Sequence, residues 1–154
     1  MQIKNYLWVF LISMVPIVEL RGAIPVGASL GNEWLPNALL AIVGNMLPVP
    51  FILLFIRHII EWMKKTRLHK IAEWIEKKAA KNTDRVMKYA TFGLLLFVAI
   101  PFPGTGAWTG ALVAAMLDMR LKYALPSIFA GVIIASVIMT LASYGFVGFL
   151  SFLA

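Results

Sequence analysis

Two long apolar stretches of this chain are interrupted near their middles by the same short pattern of proline, glycine and polar residues. The first interruption reads Val15-Pro-Ile-Val-Glu-Leu-Arg-Gly-Ala23, and the second reads Ile100-Pro-Phe-Pro-Gly-Thr-Gly-Ala107. Each is followed by a Leu-Pro-polar triplet, at Leu35-Pro-Asn37 and at Leu125-Pro-Ser127. Because these landmarks recur in the same order, the sequence predicts two structural repeats with broken helices at corresponding positions. In membrane transporters, such breaks point to the binding site.

The composition is typical of a membrane protein. Hydrophobic residues make up 61% of the chain, against roughly 45–50% apolar residues in soluble domains. The mean hydropathy is +0.86. A chain of 154 residues is too short for a helical membrane bundle and a separate soluble body, so we expect one integral membrane domain over residues 1–154. The chain has no cysteine, which excludes disulfide bonds, thiolate metal sites and a cysteine nucleophile.

The basic residues are concentrated in one linker, residues 63–89, which contains nine of the 14 Lys and Arg residues. Loops rich in Lys and Arg stay in the cytoplasm, so we expect this linker inside the cell. The spacing of Leu68, Ile71 and Ile75 predicts an amphipathic helix within it, lying on the inner membrane surface or against the bundle. The net charge of +7 does not predict nucleic-acid binding, since no recognition motif accompanies it.

Four apolar stretches cover residues 6–31, 35–62, 90–117 and 121–152. The second and fourth are long enough to cross a hydrocarbon core of about 30 Å, for which about 20 helical residues suffice. The other two are broken, at Pro16 to Pro25 and at Pro101 to Gly106. Each break leaves helical pieces of about 11–13 residues, or roughly 16–20 Å, which is about half a membrane. Such pieces predict re-entrant hairpins, which enter and leave the membrane on the same side.

The predicted fold is therefore all-α, with two inverted repeats over residues 1–62 and 90–154. Each repeat consists of a re-entrant hairpin and one transmembrane helix, and the basic linker joins them. Both chain termini and the turn at residues 32–34 then lie outside the cell.

The alternative is four ordinary membrane spans with both termini in the cytoplasm. That topology accommodates Lys4 inside, but it places Arg120 and Lys122 outside, whereas the hairpin topology keeps these two inside. The repeated breaks favour the hairpins.

Glu19 and Arg21 are the only ionisable residues well inside an apolar stretch. A charge at the bilayer centre costs about 2.5–3.5 kcal/mol on insertion scales, so such residues pair with one another or line a pathway. One hypothesis is a structural ion pair that stabilises the first hairpin. The other is that Glu19 carries protons or cations and that Arg21 binds an anionic group of the substrate.

Each break forms the tip of a predicted hairpin. The second tip is rich in glycine and leads into the start of a helix, where unpaired N–H groups and the helix dipole favour an anion. Together the two tips and the kinked second stretch predict a substrate site built from Arg21, Gly22, Asn45, Gly104, Thr105, Gly106 and Trp108. Close helix packing by the glycines, packing by the tryptophan and an interhelical hydrogen bond by the asparagine are the alternatives. We predict no catalytic residue, no metal site and no cofactor, since neither a Ser-His pair nor a set of metal ligands falls at one depth.

The segments Glu19-Leu-Arg-Gly-Ala-Ile-Pro25 and Pro101-Phe-Pro-Gly-Thr-Gly-Ala-Trp108 resemble the signature stretches of the small multidrug export protein family, whose chains have a similar length. More distantly, the chain resembles the DedA and SNARE-associated membrane proteins. That resemblance implies two facing re-entrant hairpins and movement of lipids, including polyprenyl phosphates. It also implies that Glu19 and Arg21 match the acidic and basic motif positions of the first hairpin. Thr105 stands where the DedA pattern has an arginine.

The leading functional hypothesis is a secondary transporter in the cell membrane that moves an amphiphilic, anionic substrate such as a lipid phosphate, coupled to protons through Glu19. The alternatives are an exporter of lipophilic cationic drugs, for which Glu19 is the binding charge, and a passive anion channel. The expected partners are membrane lipid, a small amphiphilic substrate and a second copy of the chain. A homodimer is expected because irregular backbone inside a membrane must be covered by protein.

Overall fold

The computed structural model describes residues 2–65, 70, 84–102 and 104–153, and the regular elements within these ranges are all α-helices. Most of the predicted amphipathic linker helix lies outside the described residues. The helices are α1 (Gln2–Met14), α2 (Glu19–Ser29), α3 (Trp34–Met46), α4 (Pro48–Lys64), α5 (Asp84–Ala99), α6 (Ala107–Met116) and α7 (Leu121–Leu153).

Two helical segments are long and apolar enough to cross a membrane, Trp34–Ile56 with 23 residues and Leu121–Phe146 with 26. Within the described residues, they confirm the two long apolar helices predicted from the sequence, by length and composition. The first segment comprises α3 and the start of α4, which meet at Leu47. Helical hydrogen bonding is interrupted there because neither Pro48 nor Pro50 has an N–H to donate.

The remaining apolar helices are about half as long. α1 has 13 residues, α2 has 11 and α6 has 10. At a rise of about 1.5 Å per residue, they measure roughly 20, 16 and 15 Å, or from about half to two-thirds of a 30 Å core. α5 has 16 residues, of which Tyr89–Ala99 form its apolar part.

The two breaks have different lengths. The second runs from Ile100 to Gly106, as predicted, whereas the first ends before Glu19 and does not extend to Pro25. Ile17 and Glu19 have positive φ angles, 76° and 50°, and these turn the chain at the first break. The helix then continues through Pro25, although proline cannot donate a helical hydrogen bond. Leu20 and other residues of α2 are buried, and their packing holds the helix together.

The second helix of each broken segment packs on the long helix of the other half of the chain: α2 lies against α7, and α6 lies against α4. α1 packs on α2 and α3, α5 packs on α7, and α3 and α7 contact each other. Close approach depends on small residues. A Cβ atom at Gly44 would collide with Ser13, and one at Gly131 would collide with Val98. This packing brings the two breaks together, with the side chain of Glu19 buried between them.

Many large apolar side chains point outward, including Phe51, Phe55, Leu141 and Phe146. Contiguous apolar surface of this kind is costly in water and is what lipid tails or another apolar protein surface would cover.

Candidate functional site

The carboxylate of Glu19 lies at the N-terminus of α6. Its Oε2 accepts a hydrogen bond from the backbone N–H of Ala107 at 3.2 Å, and its Oε1 accepts one from Trp108 at 3.0 Å. The first N–H groups of a helix have no partner within that helix, and its dipole is positive at this end. Glu19 is only 3% exposed. A carboxylate of the first break therefore caps the helix that follows the second break.

Gly106 makes this contact possible. A Cβ atom there would collide with the Glu19 carboxylate, and the residue has a φ of 148°, which L side chains rarely adopt. The sequence predicts an anion site at this glycine-rich turn, and the anion bound there in the structure is the chain's own carboxylate.

Arg21 binds the other side of the second break. Its Nη2 donates to the carbonyl oxygens of Val98, at 3.2 Å, and Ile100, at 2.9 Å, at the C-terminal end of α5. These carbonyls lie where a helix has unpaired acceptors and where its dipole is negative. The Arg21 Nη1 is 3.9 Å from Oε2 of Glu19. The acid and the base of the first break thus hold both helix ends of the second break, each with the sign that the dipole favours.

Glu19 and Arg21 are two residues apart, a spacing that does not place side chains face to face on a regular helix. They meet because α2 begins at Glu19, whose φ is positive. The structural ion pair predicted as one of the two hypotheses is therefore present in the structure.

A third side chain, that of Trp108, links the second break back to the first. The indole Nε1 of Trp108 donates to the carbonyl oxygen of Met14 at 3.1 Å, at the end of α1. Sequence reasoning assigned Trp108 to substrate binding or packing and missed this role. The sequence did contain a signal for this role. Trp108 has an indole N–H donor near the second break, and the helix that ends at the first break has carbonyl oxygens without helical partners.

Asn45 reaches the same place from α3. It is 1% exposed, and it lines a small enclosed cavity together with Glu19, Arg21 and Gly106. The other residues that line the cavity are apolar: Leu20, Val98, Ala107, Val132 and Ala135. The cavity has no volume for a water molecule. The structure thus brings together four of the residues singled out in the sequence.

The other predicted site residues lie apart from this cavity. The Thr105 hydroxyl is 2.8 Å from the carbonyl oxygen of Ile100 and 2.9 Å from that of Phe102, so it closes its own turn. Gly104 has a φ of 87° and open space around it, so it serves the conformation of the turn. Gly22 packs closely against the side chain of Val18.

Trp108 also lines a second, larger cavity on α4. This open groove has a volume of about 600 Å³, and its other lining residues are Leu47, Pro48, Phe51, Ile52, Leu54, Phe55 and His58. One residue therefore contacts both the apolar groove and, through its backbone N–H, the Glu19 carboxylate.

Comparison with known proteins identifies the family of the chain. The sequence model of one family, described as "Putative small multi-drug export protein", matches residues 19–138. The match begins at Glu19, directly after the first break, and includes the second break and both long apolar helices up to residue 138. No curated protein and no solved structure matches the chain significantly. The distant resemblance to DedA proteins therefore stays a prediction. Since the match covers most of the sequence, the chain belongs to the small multi-drug export protein family.

Proposed function

We propose that the protein is a secondary transporter that exports lipophilic compounds, cations above all, in exchange for protons that bind to Glu19. The family supports export from the cell. The observation that carries the proposal is the position of Glu19, whose carboxylate joins α2 to α6 and pairs with Arg21. A proton on this carboxylate removes the charge on which all three contacts depend. Protonation is therefore expected to loosen the connection between the two breaks.

The groove beside Trp108 supports a lipophilic substrate. Its volume of about 600 Å³ lies within the roughly 300–1,000 Å³ that is usual for sites of drug-sized ligands. The faces of Phe51, Phe55 and Trp108 suit a cation, because aromatic rings attract positive charge to their faces. His58 is the one ionisable side chain among the lining residues. A ligand bound here contacts Trp108, whose N–H holds Glu19, so binding in the groove is linked to the ion pair.

The second candidate substrate is an anionic amphiphile such as a lipid phosphate. The protein would act on it either as a transporter or as a passive channel. The buried Nε of Arg21 has no hydrogen-bond partner and favours this candidate. However, the N–H groups of Ala107 and Trp108 bind Glu19, and Nη2 of Arg21 binds carbonyl oxygens. An anion would have to displace these protein groups, which makes the cation the better proposal.

For the topology, we propose two inverted repeats, each with a re-entrant hairpin and one full span. The half-membrane length of α1, α2 and α6 supports hairpins. The exchange of partners, with α2 on α7 and α6 on α4, is the packing expected of two related halves. The charge distribution supports a cytoplasmic linker with both termini outside. One membrane domain over residues 1–154, with repeats at 1–62 and 90–154, follows from this arrangement.

Transport of two lipophilic ions of opposite charge, measured above the leak of protein-free liposomes, would test the function. Protein in liposomes should move tetraphenylphosphonium, a cation, when a pH gradient is applied, and it should not move tetraphenylborate, the anion of the same shape. Glu19→Gln should lose the pH-driven flux. Glu33→Gln removes an exposed carboxylate from the turn before α3 and should behave as wild type. If the wild-type protein moved only the anion, the cation proposal would be overturned and the anionic substrate favoured. Flux that does not saturate would indicate a channel.

A further inference from the structure

Asn45 lies beside Glu19 with an unpaired side chain. Its amide is next to the carboxylate, and both line the enclosed cavity. Among the described residues, neither Nδ2 nor Oδ1 of Asn45 has a partner at hydrogen-bond distance and angle, the neighbouring Glu19 included. Burying a polar group without a partner costs about 1–3 kcal/mol, and such groups in native proteins call for an explanation. Polar side chains inside membranes are usually functional.

A protonated Glu19 would need a partner that the ionised form does not need. The ionised carboxylate is an acceptor only, and it accepts from Ala107 and Trp108. The neutral acid also carries an O–H donor. The cavity has no room for a water molecule to accept this bond. Among the nine lining residues, Asn45 is the only side chain besides Glu19 that has an acceptor atom, because Arg21 carries donors only.

We propose that Oδ1 of Asn45 accepts the hydrogen bond of the protonated Glu19, so that Asn45 is the positioning residue of the proton site. An amide has a donor and an acceptor, and after rotation its NH₂ group can donate to the ionised carboxylate instead. Asn45 therefore satisfies Glu19 in both states without water. This inference rests on the proposed role of Glu19 in proton coupling.

Few other groups bear on the protonation of Glu19. Arg21, on the same helix, is the one charged side chain besides Glu19 among the residues that line the cavity. The lining residues of α5, α6 and α7 are apolar or glycine and have no titratable side chain. The protonation equilibrium of Glu19 is then set by Arg21, by the amides at the start of α6 and by Asn45.

Infrared spectroscopy of the full chain in lipid tests the proposal without any transport measurement. The C=O stretch of a protonated carboxylic acid is separate from that of a carboxylate, and the band that disappears in Glu19→Gln belongs to Glu19. In Asn45→Leu, this band should move to the higher frequency of a free acid, since the O–H of the protonated Glu19 loses its acceptor. Asn37→Leu is the matched control. Asn37 is a fully buried asparagine of the same helix that donates to Ile24 at 3.0 Å.

An unchanged band frequency in Asn45→Leu would overturn the proposal, as would an equal change of frequency in Asn37→Leu. If Asn45→Leu does not fold, the wild-type protein still decides. A hydrogen-bonded acid absorbs at lower frequency than a free one, so a free-acid frequency for Glu19 would refute the role of Asn45. Because these spectra follow one proton and not a substrate, they separate a failure of this inference from a failure of the transport proposal.

Discussion

Glu19 and Arg21 should stabilise each other. The losses of stability caused by the two single variants should therefore add up to more than the loss caused by the double variant. Glu19→Gln leaves the guanidinium of Arg21 without a counter-charge. In addition, the NH₂ group of the new glutamine would face one of the two helix N–H groups that the Glu19 carboxylate binds. Breaking a buried pair in this way costs about 3–5 kcal/mol. Arg21→Met leaves the carboxylate capping α6 but removes the side-chain donor to the carbonyl oxygens of Val98 and Ile100.

The size of the expected coupling follows from the geometry. At 3.9 Å and an effective dielectric constant of about 20, two unit charges attract each other by about 4 kcal/mol. The Arg21 side chain is 13% exposed, and its charge is spread over the guanidinium, so part of this attraction is screened. We expect the double variant Glu19→Gln/Arg21→Met to be about 2–3 kcal/mol more stable than the sum of the single effects predicts.

Unfolding of the four proteins in detergent micelles, followed by circular dichroism during titration with a denaturing detergent, measures this coupling. Glu33→Gln combined with Arg120→Met is the control, since both side chains are exposed and their effects should add. Additivity of the Glu19 and Arg21 variants within about 0.5 kcal/mol would refute the reasoning, because it would mean that the pair contributes no interaction of its own.

Three further outcomes are expected. Gly106→Ala should lower the free energy of unfolding by roughly 2–4 kcal/mol through strain and loss of the Glu19 cap. Gly104→Ala should lower it by less, because the space around Gly104 is open. Equal losses in the two variants would contradict the role of the contact between Gly106 and Glu19. A cysteine at Lys122 should resist an impermeant thiol reagent added outside cells and react in inverted vesicles, and the reverse result would support four plain spans. Light scattering in detergent should give twice the 17.1 kDa of one chain, since Ile17 at the first break is 88% exposed, and Ile17→Glu should shift the mass toward that of a monomer.

Much of the fold could be predicted because proline, glycine and charge are rare inside apolar helices. The two long helices and the second break lie where the pattern placed them. The first break was predicted too long because the rule for proline is local, whereas the packing of Leu20 and its neighbours keeps α2 helical through Pro25. The partners of Glu19 could not be predicted. They lie 88 and 89 residues away, and a single sequence does not indicate which helix end would meet which charge.

The long separation between the two halves of the ion-pair site has a consequence for biosynthesis. The N–H groups that bind Glu19 are 88 and 89 residues further along the chain. At about 5–20 residues per second, a ribosome needs roughly 4–18 s to add them. During that interval the first repeat has its acid and base but neither helix end that they will cap. The nascent chain is therefore expected to stay beside the insertion machinery, or another protein that shields the charges, until residue 108 has been made.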